Sequence, residues 1–194
     1  MNFTAIKLYA EKNNVPITKD DTMKFIVDYI NENKIEHVLE IGTAIAYGTI
    51  NMASCESVKS ITTLEIDTTN YREALSNIAK YNLLDKIDAK LIDAKLYIDE
   101  CDKKFDLIYL DGPKGQYINY LPKLLRMLNP NGAIIADNIF FHGMATGEIV
   151  TPSSCRSMVN GLRLYVDEVT HNDMLETHIY QMGDGIAVTK LKQN

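Results

Sequence analysis

Residues 37–48 read HVLEIGTAIAYG, and this stretch decides the fold. Residues 37–42 predict a buried strand, and a predicted helix over residues 46–54 follows after a short loop. The same alternation of strand and helix continues along the chain. Further strands are predicted at residues 60–65, 87–92, 106–110 and 132–136, and further helices at residues 68–81, 95–101 and 116–128. Strands and helices that alternate at this spacing indicate βαβ units and a parallel sheet.

The last third of the chain has a different pattern. A helix is predicted over residues 158–170, and two strands over residues 177–182 and 186–190. Gly183-Asp184-Gly185 separates these strands, and so short a glycine-containing connection is typical of an antiparallel hairpin. We therefore predict an α/β fold with seven strands, mostly parallel, helices on both faces and a C-terminal antiparallel hairpin.

The composition is that of a folded globular protein, with 46% apolar and 24% charged residues in a chain of 194. A chain of this length predicts a single domain over residues 1–194, in which residues 1–34 form an N-terminal helical cap. The 20 Lys and Arg against 26 Asp and Glu give a net charge of −6, which argues mildly against a large nucleic-acid-binding face.

The sequence also indicates a cellular compartment. It contains no apolar run long enough to cross a membrane and no apolar segment near Met1 of the kind found in signal peptides. Its three cysteines are widely spaced and form no CxxC pair, as expected of free thiols in a reducing environment. We expect a cytoplasmic protein without a membrane partner.

Acidic residues stand at the carboxyl ends of the predicted parallel strands, where open α/β sheets bind their ligands. Each of the five strands contributes one of them: Glu40, Glu65, Asp93, Asp111 and Asp137. Like charges that lie close together lower stability unless a ligand or a metal compensates them. This edge of the sheet is therefore the predicted binding site.

The loop after the first strand indicates which nucleotide could bind. An acid at the end of the second strand, here Glu65, suits ribose hydroxyls. The loop contains Gly42 and Gly48 but no GxGxxG, so a pyrophosphate could not approach its backbone closely. A nucleoside without a pyrophosphate, such as S-adenosylmethionine, fits better. Gly42 on its own would equally suit a simple turn at the end of a strand.

Three oxygen-bearing side chains, Asp111, Asp137 and Asn138, follow two strands that we expect to be neighbours. Ligation by oxygen alone suits a hard cation such as Mg²⁺, Ca²⁺ or Mn²⁺. Lys114 follows three residues after Asp111 and could act as a general base or stabilise an oxyanion. The alternatives are that Asp137 and Asn138 cap a turn and that Lys114 is an ordinary surface lysine.

Five short motifs carry a resemblance to a known family. They are LEIGTAIAYG at residues 39–48, LEID at 64–67, the stretch from Asp111 to KGQY at 114–117, IADNIFFHG at 135–143 and GDGIAV at 183–188. The chain resembles the class I S-adenosylmethionine-dependent O-methyltransferases, which have a Rossmann-like fold. It is most similar to their metal-dependent group of catechol and caffeoyl-CoA enzymes. Within that group it resembles the bacterial tRNA 5-hydroxyuridine O-methyltransferases.

The resemblance implies roles for individual residues. It places Glu65 on the ribose hydroxyls, Asp93 and Ala94 at the adenine edge, and Gly42 and Gly48 by the methionine moiety. The remaining implied roles are cofactor contact for Thr18, Glu40 and Asp111, Mg²⁺ ligation by Asp111, Asp137 and Asn138, and catalysis by Lys114 with Asp111. The implied cofactors are S-adenosyl-L-methionine and Mg²⁺ or another hard divalent cation.

The resemblance also implies a reaction, namely Mg²⁺-dependent methylation of an acidic hydroxyl. Its most specific form is conversion of 5-hydroxyuridine at the tRNA wobble position into 5-methoxyuridine. The alternatives are a small catechol-like acceptor and a non-catalytic nucleotide-binding protein. Where the tRNA-modifying relatives carry a basic run, residues 152–156 offer only Arg156. The family usually has Gly and Ser where this chain has Ala46 and Gly48. Homodimers are common in the family, so we expect a homodimer.

Overall fold

The computed structural model describes residues 2–193. The chain divides into two compact units, with the boundary between Tyr97 and Ile98. Each unit combines strands with flanking helices and is described by itself below. Among the described residues, no helix is both long enough and apolar enough to cross a membrane.

The first unit contains three parallel strands in the order β3-β2-β1. Its elements are α1 (Thr4–Asn13), α2 (Asp20–Asn33), β1 (His37–Ile41), α3 (Tyr47–Ala53), β2 (Ser60–Glu65), α4 (Thr68–Lys80) and β3 (Ile87–Leu91). Helix α5 (Ala94–Glu100) follows and crosses the boundary between the units. The strands β1 and β2 are buried over almost their whole length, as is typical of parallel strands covered on both faces.

The second unit contains four strands in the order β4-β5-β7-β6. Its elements are β4 (Phe105–Leu110), a 3₁₀ turn (Lys114–Gln116), α6 (Tyr117–Arg126), β5 (Leu128–Asp137), a second 3₁₀ turn (Ser153–Cys155), α7 (Arg156–His171), β6 (Leu175–Tyr180) and β7 (Ile186–Leu191). Strand β4 pairs parallel with β5, whereas β7 pairs antiparallel with both β5 and β6. The predicted fold class, with seven mostly parallel strands and a C-terminal antiparallel hairpin, is confirmed.

Two strands differ from their predicted bounds by more than one residue. Strand β5 begins at Leu128 rather than at residue 132, because Leu128 pairs with Phe105 across an irregularity in the ladder. Strand β6 lies two residues earlier than predicted, because Tyr180 pairs with Ile186 and residues 181–185 form the turn. Gly183 and Gly185 both have positive φ in this turn, a conformation that glycine adopts without steric cost.

A polar and aromatic contact attaches the N-terminal helices to the rest of the first unit. The Asp20 carboxylate accepts hydrogen bonds from Lys7 Nζ at 2.6 Å and from the Tyr47 hydroxyl at 2.8 Å. Phe3 stacks on Tyr81 and meets the Tyr47 ring edge to face, each with centroids 5.5 Å apart. Tyr47 is the first residue of α3, so the helical cap touches the element that follows the predicted cofactor loop. A single domain with residues 1–34 as its cap stays a prediction.

Candidate active site

The loop between β1 and α3 has an unusual backbone. Gly42 has φ +104°, and Ala44 and Ala46 are left-handed at φ +46° and +66°. The Glu65 side chain supports this loop by accepting the Ala44 N–H at 2.7 Å. Residues other than glycine adopt such conformations only where surrounding contacts impose them. The end of β2 thus shapes the loop predicted to bind a cofactor.

Glu65 is buried, and its carboxylate accepts three hydrogen bonds from the protein backbone. Its other oxygen accepts the N–H groups of Ile66 at 2.9 Å and Asp67 at 2.8 Å. A carboxylate offers about four lone-pair positions, and three backbone donors already use three of them. A ribose could therefore bind Glu65 through one hydroxyl with this network intact.

The structure brings three more of the predicted cofactor residues together in the first unit. Glu40 is buried and accepts hydrogen bonds from the hydroxyls of Thr49 and, at 2.6 Å, Thr63. A Cβ on Gly48 would lie 3.0 Å from Glu40 Oε1 and 3.8 Å from Thr18 Oγ1. Any side chain at Gly48 would therefore press on the Glu40 carboxylate.

The end of β3 offers a polar surface, and the end of the neighbouring strand β2 offers an apolar one. Asp93 is half-buried and accepts the Lys95 N–H at 2.7 Å, so it caps the first turn of α5, which begins at Ala94. Ile66, directly after Glu65, is 69% exposed. Ile66 was not among the residues predicted to bind a ligand. The sequence feature that could have indicated it is an apolar residue that follows a strand instead of lying within it.

In the second unit, the two predicted metal-binding aspartates lie close together. Asp111 follows β4 and Asp137 ends β5, and these strands pair side by side. The Tyr109 hydroxyl lies 3.1 Å from Asp137 Oδ2 and 3.5 Å from Asp111 Oδ2. Asp137 Oδ1 accepts the backbone N–H of Asn138 at 2.7 Å. The predicted proximity of Asp111 and Asp137 is confirmed.

Lys114 completes this group. Its Nζ lies 3.2 Å from Asp111 Oδ1, and both side chains are largely shielded, with 13% and 22% exposed. It also lies 5.9 Å from the centre of the Tyr117 ring, within range of a cation–π contact. Lys114 is therefore not an ordinary surface lysine.

Burial and the neighbouring Asp111 carboxylate raise the pKa of Asp137 from 3.8 to about 6. Hydrogen bonds from Asn138 and Tyr109 and the charge of Lys114 act in the opposite direction without cancelling this rise. Of the five acids predicted at the strand ends, Glu40 and Glu65 are compensated by protein hydrogen bonds. Asp111 and Asp137 also have protein partners, namely Lys114 for Asp111 and Tyr109 and Asn138 for Asp137, but here two like charges lie next to each other.

The donor set of this pair fits a hard divalent cation. Two carboxylates lie within reach of one hydroxyl, and the Asn138 amide comes directly after the second of them. Among residues 2–193 no group of three or more His, Cys, Asp and Glu side chains could hold a metal ion. That result is compatible with the predicted site, because its third ligand is an amide. Ligation by Asp111, Asp137 and Asn138 stays a prediction.

The loop after Asn138 is held by two charged side chains. The Asp184 carboxylate accepts the His142 N–H at 2.8 and 3.0 Å. The Arg163 guanidinium donates to the carbonyls of Met144 at 2.6 Å and Ala145 at 2.9 Å. These bonds fix the backbone at residues 142–145 of the loop between β5 and the second 3₁₀ turn, here called the acceptor loop, although its tip is exposed.

The 3₁₀ turn that carries Lys114 is packed tightly against α7. A Cβ on Gly161 would collide with the carbonyl of Gly115, and a Cβ on Gly115 would lie 3.0 Å from Met158 Cα. Two glycines therefore permit the close contact that supports the turn.

Comparisons with known proteins agree with this architecture. A crystal structure of a candidate caffeoyl-CoA O-methyltransferase from Staphylococcus aureus superimposes with a TM-score of 0.91 at 27% identity, covering 99% of this chain and 93% of that one. A structure of a Bacillus cereus O-methyltransferase in complex with SAH gives 0.83 at 22% identity, covering 97% and 89%. The second comparison shows the fold alone.

Sequence comparisons reach the same family. The chain is 29% identical over 167 residues to a catechol O-methyltransferase of Niastella koreensis, which covers 81% of this chain and 74% of the relative. It is 26% identical over 190 residues to a caffeoyl-CoA O-methyltransferase of Zinnia elegans, covering 91% and 76%. The sequence model of the family described as "O-methyltransferase" matches residues 2–192. The predicted enzyme class is thus confirmed, and the chain belongs to the O-methyltransferase family.

Proposed function

We propose that this enzyme transfers a methyl group from S-adenosylmethionine to an acidic aromatic hydroxyl with the help of a divalent cation, most simply Mg²⁺. The observation that carries the proposal is the group of Asp111, Asp137 and Lys114. Two carboxylates this close, one of them buried with a raised pKa, are the arrangement expected of a cation site.

The first unit has the features required for a nucleoside cofactor. S-adenosylmethionine would supply an activated methyl group on a sulfonium centre. Glu65 retains an acceptor position for a ribose hydroxyl, and exposed Ile66 offers an apolar surface for a purine face. Buried Glu40 offers negative charge near Gly48. The SAH complex of the Bacillus cereus enzyme, which shares the fold, supports this choice of cofactor.

The second unit has the features required to activate a hydroxyl. A divalent cation at Asp111 and Asp137 would lower the pKa of an acceptor hydroxyl. Lys114 Nζ lies 3.2 Å from Asp111 Oδ1, and from this position it would donate a hydrogen bond to the acceptor oxygen and stabilise the negative charge that develops there. Asp111 orients Lys114, and the packing around Gly115 holds the turn in place.

The acceptor that we favour is a small aromatic hydroxyl compound. The relatives from Niastella koreensis and Zinnia elegans are named for catechol and caffeoyl-CoA. Arg163, a basic residue close to the acceptor loop, donates to backbone carbonyls of that loop. Its guanidinium is therefore already engaged and is less suited to a phosphate contact.

The second candidate acceptor is 5-hydroxyuridine in tRNA, the acceptor implied by the sequence resemblance. It is supported by the KGQY and GDG motifs and by the acidity of a hydroxyl on a uracil ring. Much of the net charge of −6 comes from acids that sit inside the two candidate sites, so this charge opposes RNA binding less than it would on an open surface.

A homodimer also stays a proposal, which light scattering on the purified enzyme tests.

The metal requirement is tested by chelation. We expect EDTA to abolish methyl transfer and excess Mg²⁺ to restore it, because the acceptor hydroxyl would otherwise remain protonated. Full turnover in EDTA would refute the metal assignment.

Asp137→Ala and Lys114→Ala should each lower kcat by about 100-fold or more, while the affinity for S-adenosylhomocysteine, measured by calorimetry, changes less than about threefold. Loss of that affinity in Lys114→Ala would show a structural role instead.

The acceptor is tested by direct competition. Purified enzyme would be supplied with labelled S-adenosylmethionine and either a catechol or caffeoyl-CoA panel or tRNA that contains 5-hydroxyuridine. We expect labelled small-molecule products. Label in 5-methoxyuridine alone, identified by mass spectrometry of digested tRNA, would establish the second candidate in place of the first.

A further inference from the structure

Tyr109 connects the two carboxylates of the candidate metal site and lies outside the motifs that carry the family resemblance. Its side chain is fully buried in β4. Its hydroxyl lies 3.1 Å from Asp137 Oδ2 and 3.5 Å from Asp111 Oδ2. One hydroxyl proton thus faces both carboxylates and is held more closely by Asp137.

The position of Tyr109 follows from strand geometry. Side chains two residues apart in an extended chain point to the same side, so Tyr109 lies on the side from which Asp111 projects. Phenylalanine would fill the same buried volume without a polar atom. The hydroxyl is therefore the part of the Tyr109 side chain that hydrogen-bonds to the carboxylates.

The hydroxyl offsets part of the repulsion between the carboxylates. With Tyr109 on Oδ2 and the Asn138 N–H on Oδ1, both oxygens of Asp137 are oriented by the protein. Asp111 is oriented from its other side by Lys114.

We propose that Tyr109 is a positioning residue that holds Asp111 and Asp137 in one arrangement and thereby raises the affinity of this pair for a divalent cation. The inference rests on the proposed metal-dependent function. Hydrogen-bonding partners behind metal ligands commonly contribute 10–100-fold to metal affinity. Tyr109→Phe should therefore weaken binding of Mn²⁺ or Mg²⁺ by about tenfold or more.

The matched control is Tyr117→Phe. Tyr117 is equally buried in the same unit, but its hydroxyl donates to the backbone carbonyl of Leu110 at 2.9 Å. Both variants remove one buried hydroxyl and keep the ring, so they carry a similar cost in stability. Only Tyr109→Phe removes a donor to the carboxylates.

The experiment is calorimetric titration of Mn²⁺ and Mg²⁺ into the full-length wild-type enzyme and both variants after removal of bound metal with EDTA. Electron paramagnetic resonance of bound Mn²⁺ provides a second readout of ligand geometry, and circular dichroism checks that each variant is folded. We expect weaker binding and an altered Mn²⁺ spectrum only in Tyr109→Phe.

Unchanged affinity and spectrum in Tyr109→Phe, with metal bound by the wild type, would overturn the role of Tyr109 and leave the proposed function standing. An equal loss in Tyr117→Phe would also overturn it, because the effect would then be general to buried hydroxyls. Failure of the wild type to bind either metal would overturn the proposed metal site and this inference with it.

Discussion

Asp137 shows at the scale of one residue how a binding site opposes stability. Its carboxylate is 2% exposed and lies next to Asp111. Without a bound cation, ionisation of Asp137 places a negative charge in a buried position next to the Asp111 carboxylate. A pKa raised from 3.8 to about 6 measures this cost, which corresponds to roughly 3 kcal/mol.

Asp137→Asn should therefore stabilise the metal-free protein at pH 8, by about 1–3 kcal/mol. The folded-state pKa of Asp137 lies above its unfolded value, so the folded protein binds more protons between about pH 4 and pH 6. The contribution of Asp137 to stability is thus most favourable below pH 4 and is lost as the pH rises through 6. Urea unfolding at several pH values measures the difference in unfolding free energy between wild type and variant.

The difference in unfolding free energy between the two proteins should be small at pH 4 and reach its full size above pH 7. Asp173→Asn is the control, because it makes the same chemical change at an exposed position on the turn before β6. A variant less stable than wild type at pH 8 would contradict the argument. The same variant should lose divalent-cation binding, since an amide replaces a charged ligand.

The sequence was informative about which residues matter here and less so about their partners. Asp111 and Asp137 could be predicted to meet because parallel neighbouring strands end at the same edge. That Glu65 would bind three backbone N–H groups, or that Tyr109 would reach both aspartates, depends on rotamers and on the exact path of a loop. Neither leaves a periodic signal in a sequence.

At the scale of elements, the turn that carries Lys114 depends on its contact with α7. The helix interior favours alanine over glycine by about 1 kcal/mol, so Gly161→Ala would stabilise an unobstructed helix. The new Cβ would instead collide with the Gly115 carbonyl, which cannot move without moving the turn. The cost of this collision should exceed the gain in helix propensity, so that the substitution destabilises the protein.

We expect Gly161→Ala to destabilise the protein by about 1–3 kcal/mol and to lower kcat by displacing Lys114. Thermal unfolding and initial rates measure the two effects. Asn160→Ala, at the exposed neighbouring position of α7, is the control and should be neutral or slightly stabilising. Stabilisation by Gly161→Ala would mean that α7 can shift away from the turn.

The acceptor loop is a second case in which elements that follow in the chain set a local conformation. Phe141 and His142 have φ of +43° and +54°, values that residues other than glycine rarely adopt. Asp184 from the hairpin turn and Arg163 from α7 bind the loop backbone and hold it there. A sequence pattern predicts such a segment as irregular but cannot indicate that it is fixed.

Arg163→Ala should release this loop without unfolding the protein. Arg163 is exposed, so we expect a change in unfolding free energy below about 0.5 kcal/mol. Amide hydrogen exchange over residues 141–149 should become at least tenfold faster. Arg126→Ala, which removes an arginine from the end of α6, serves as the control. Unchanged exchange in Arg163→Ala would show that Asp184 and the turn hydrogen bonds suffice.

At the scale of the whole molecule, the two candidate binding activities belong to different units of the chain. The proposed cofactor residues Glu40, Gly48 and Glu65 lie in the first unit, and the proposed cation ligands Asp111 and Asp137 lie in the second, where Asp111 is the one residue that the resemblance assigns to both ligands. The order of strands and the family could be predicted from sequence, because both follow from motifs at strand ends. The division of the chain into two compact units could not, since it depends on the density of contacts on either side of Tyr97.

This division predicts that the two ligands can be separated by mutation. A ligand at 100 times its dissociation constant stabilises a folded protein by about 2.7 kcal/mol, which for a chain of this size raises Tm by roughly 5–10 °C. S-adenosylhomocysteine and Mn²⁺ should each give such a shift in the wild type. Asp137→Asn should lose the Mn²⁺ shift and keep the other, whereas Glu65→Gln should show the reverse. Glu65→Gln starts from a lower Tm, because the amide cannot accept all three backbone N–H groups that Glu65 binds. Each shift is therefore measured against the same variant without ligand. Loss of both shifts in either variant would mean that cation and cofactor share ligands across the chain.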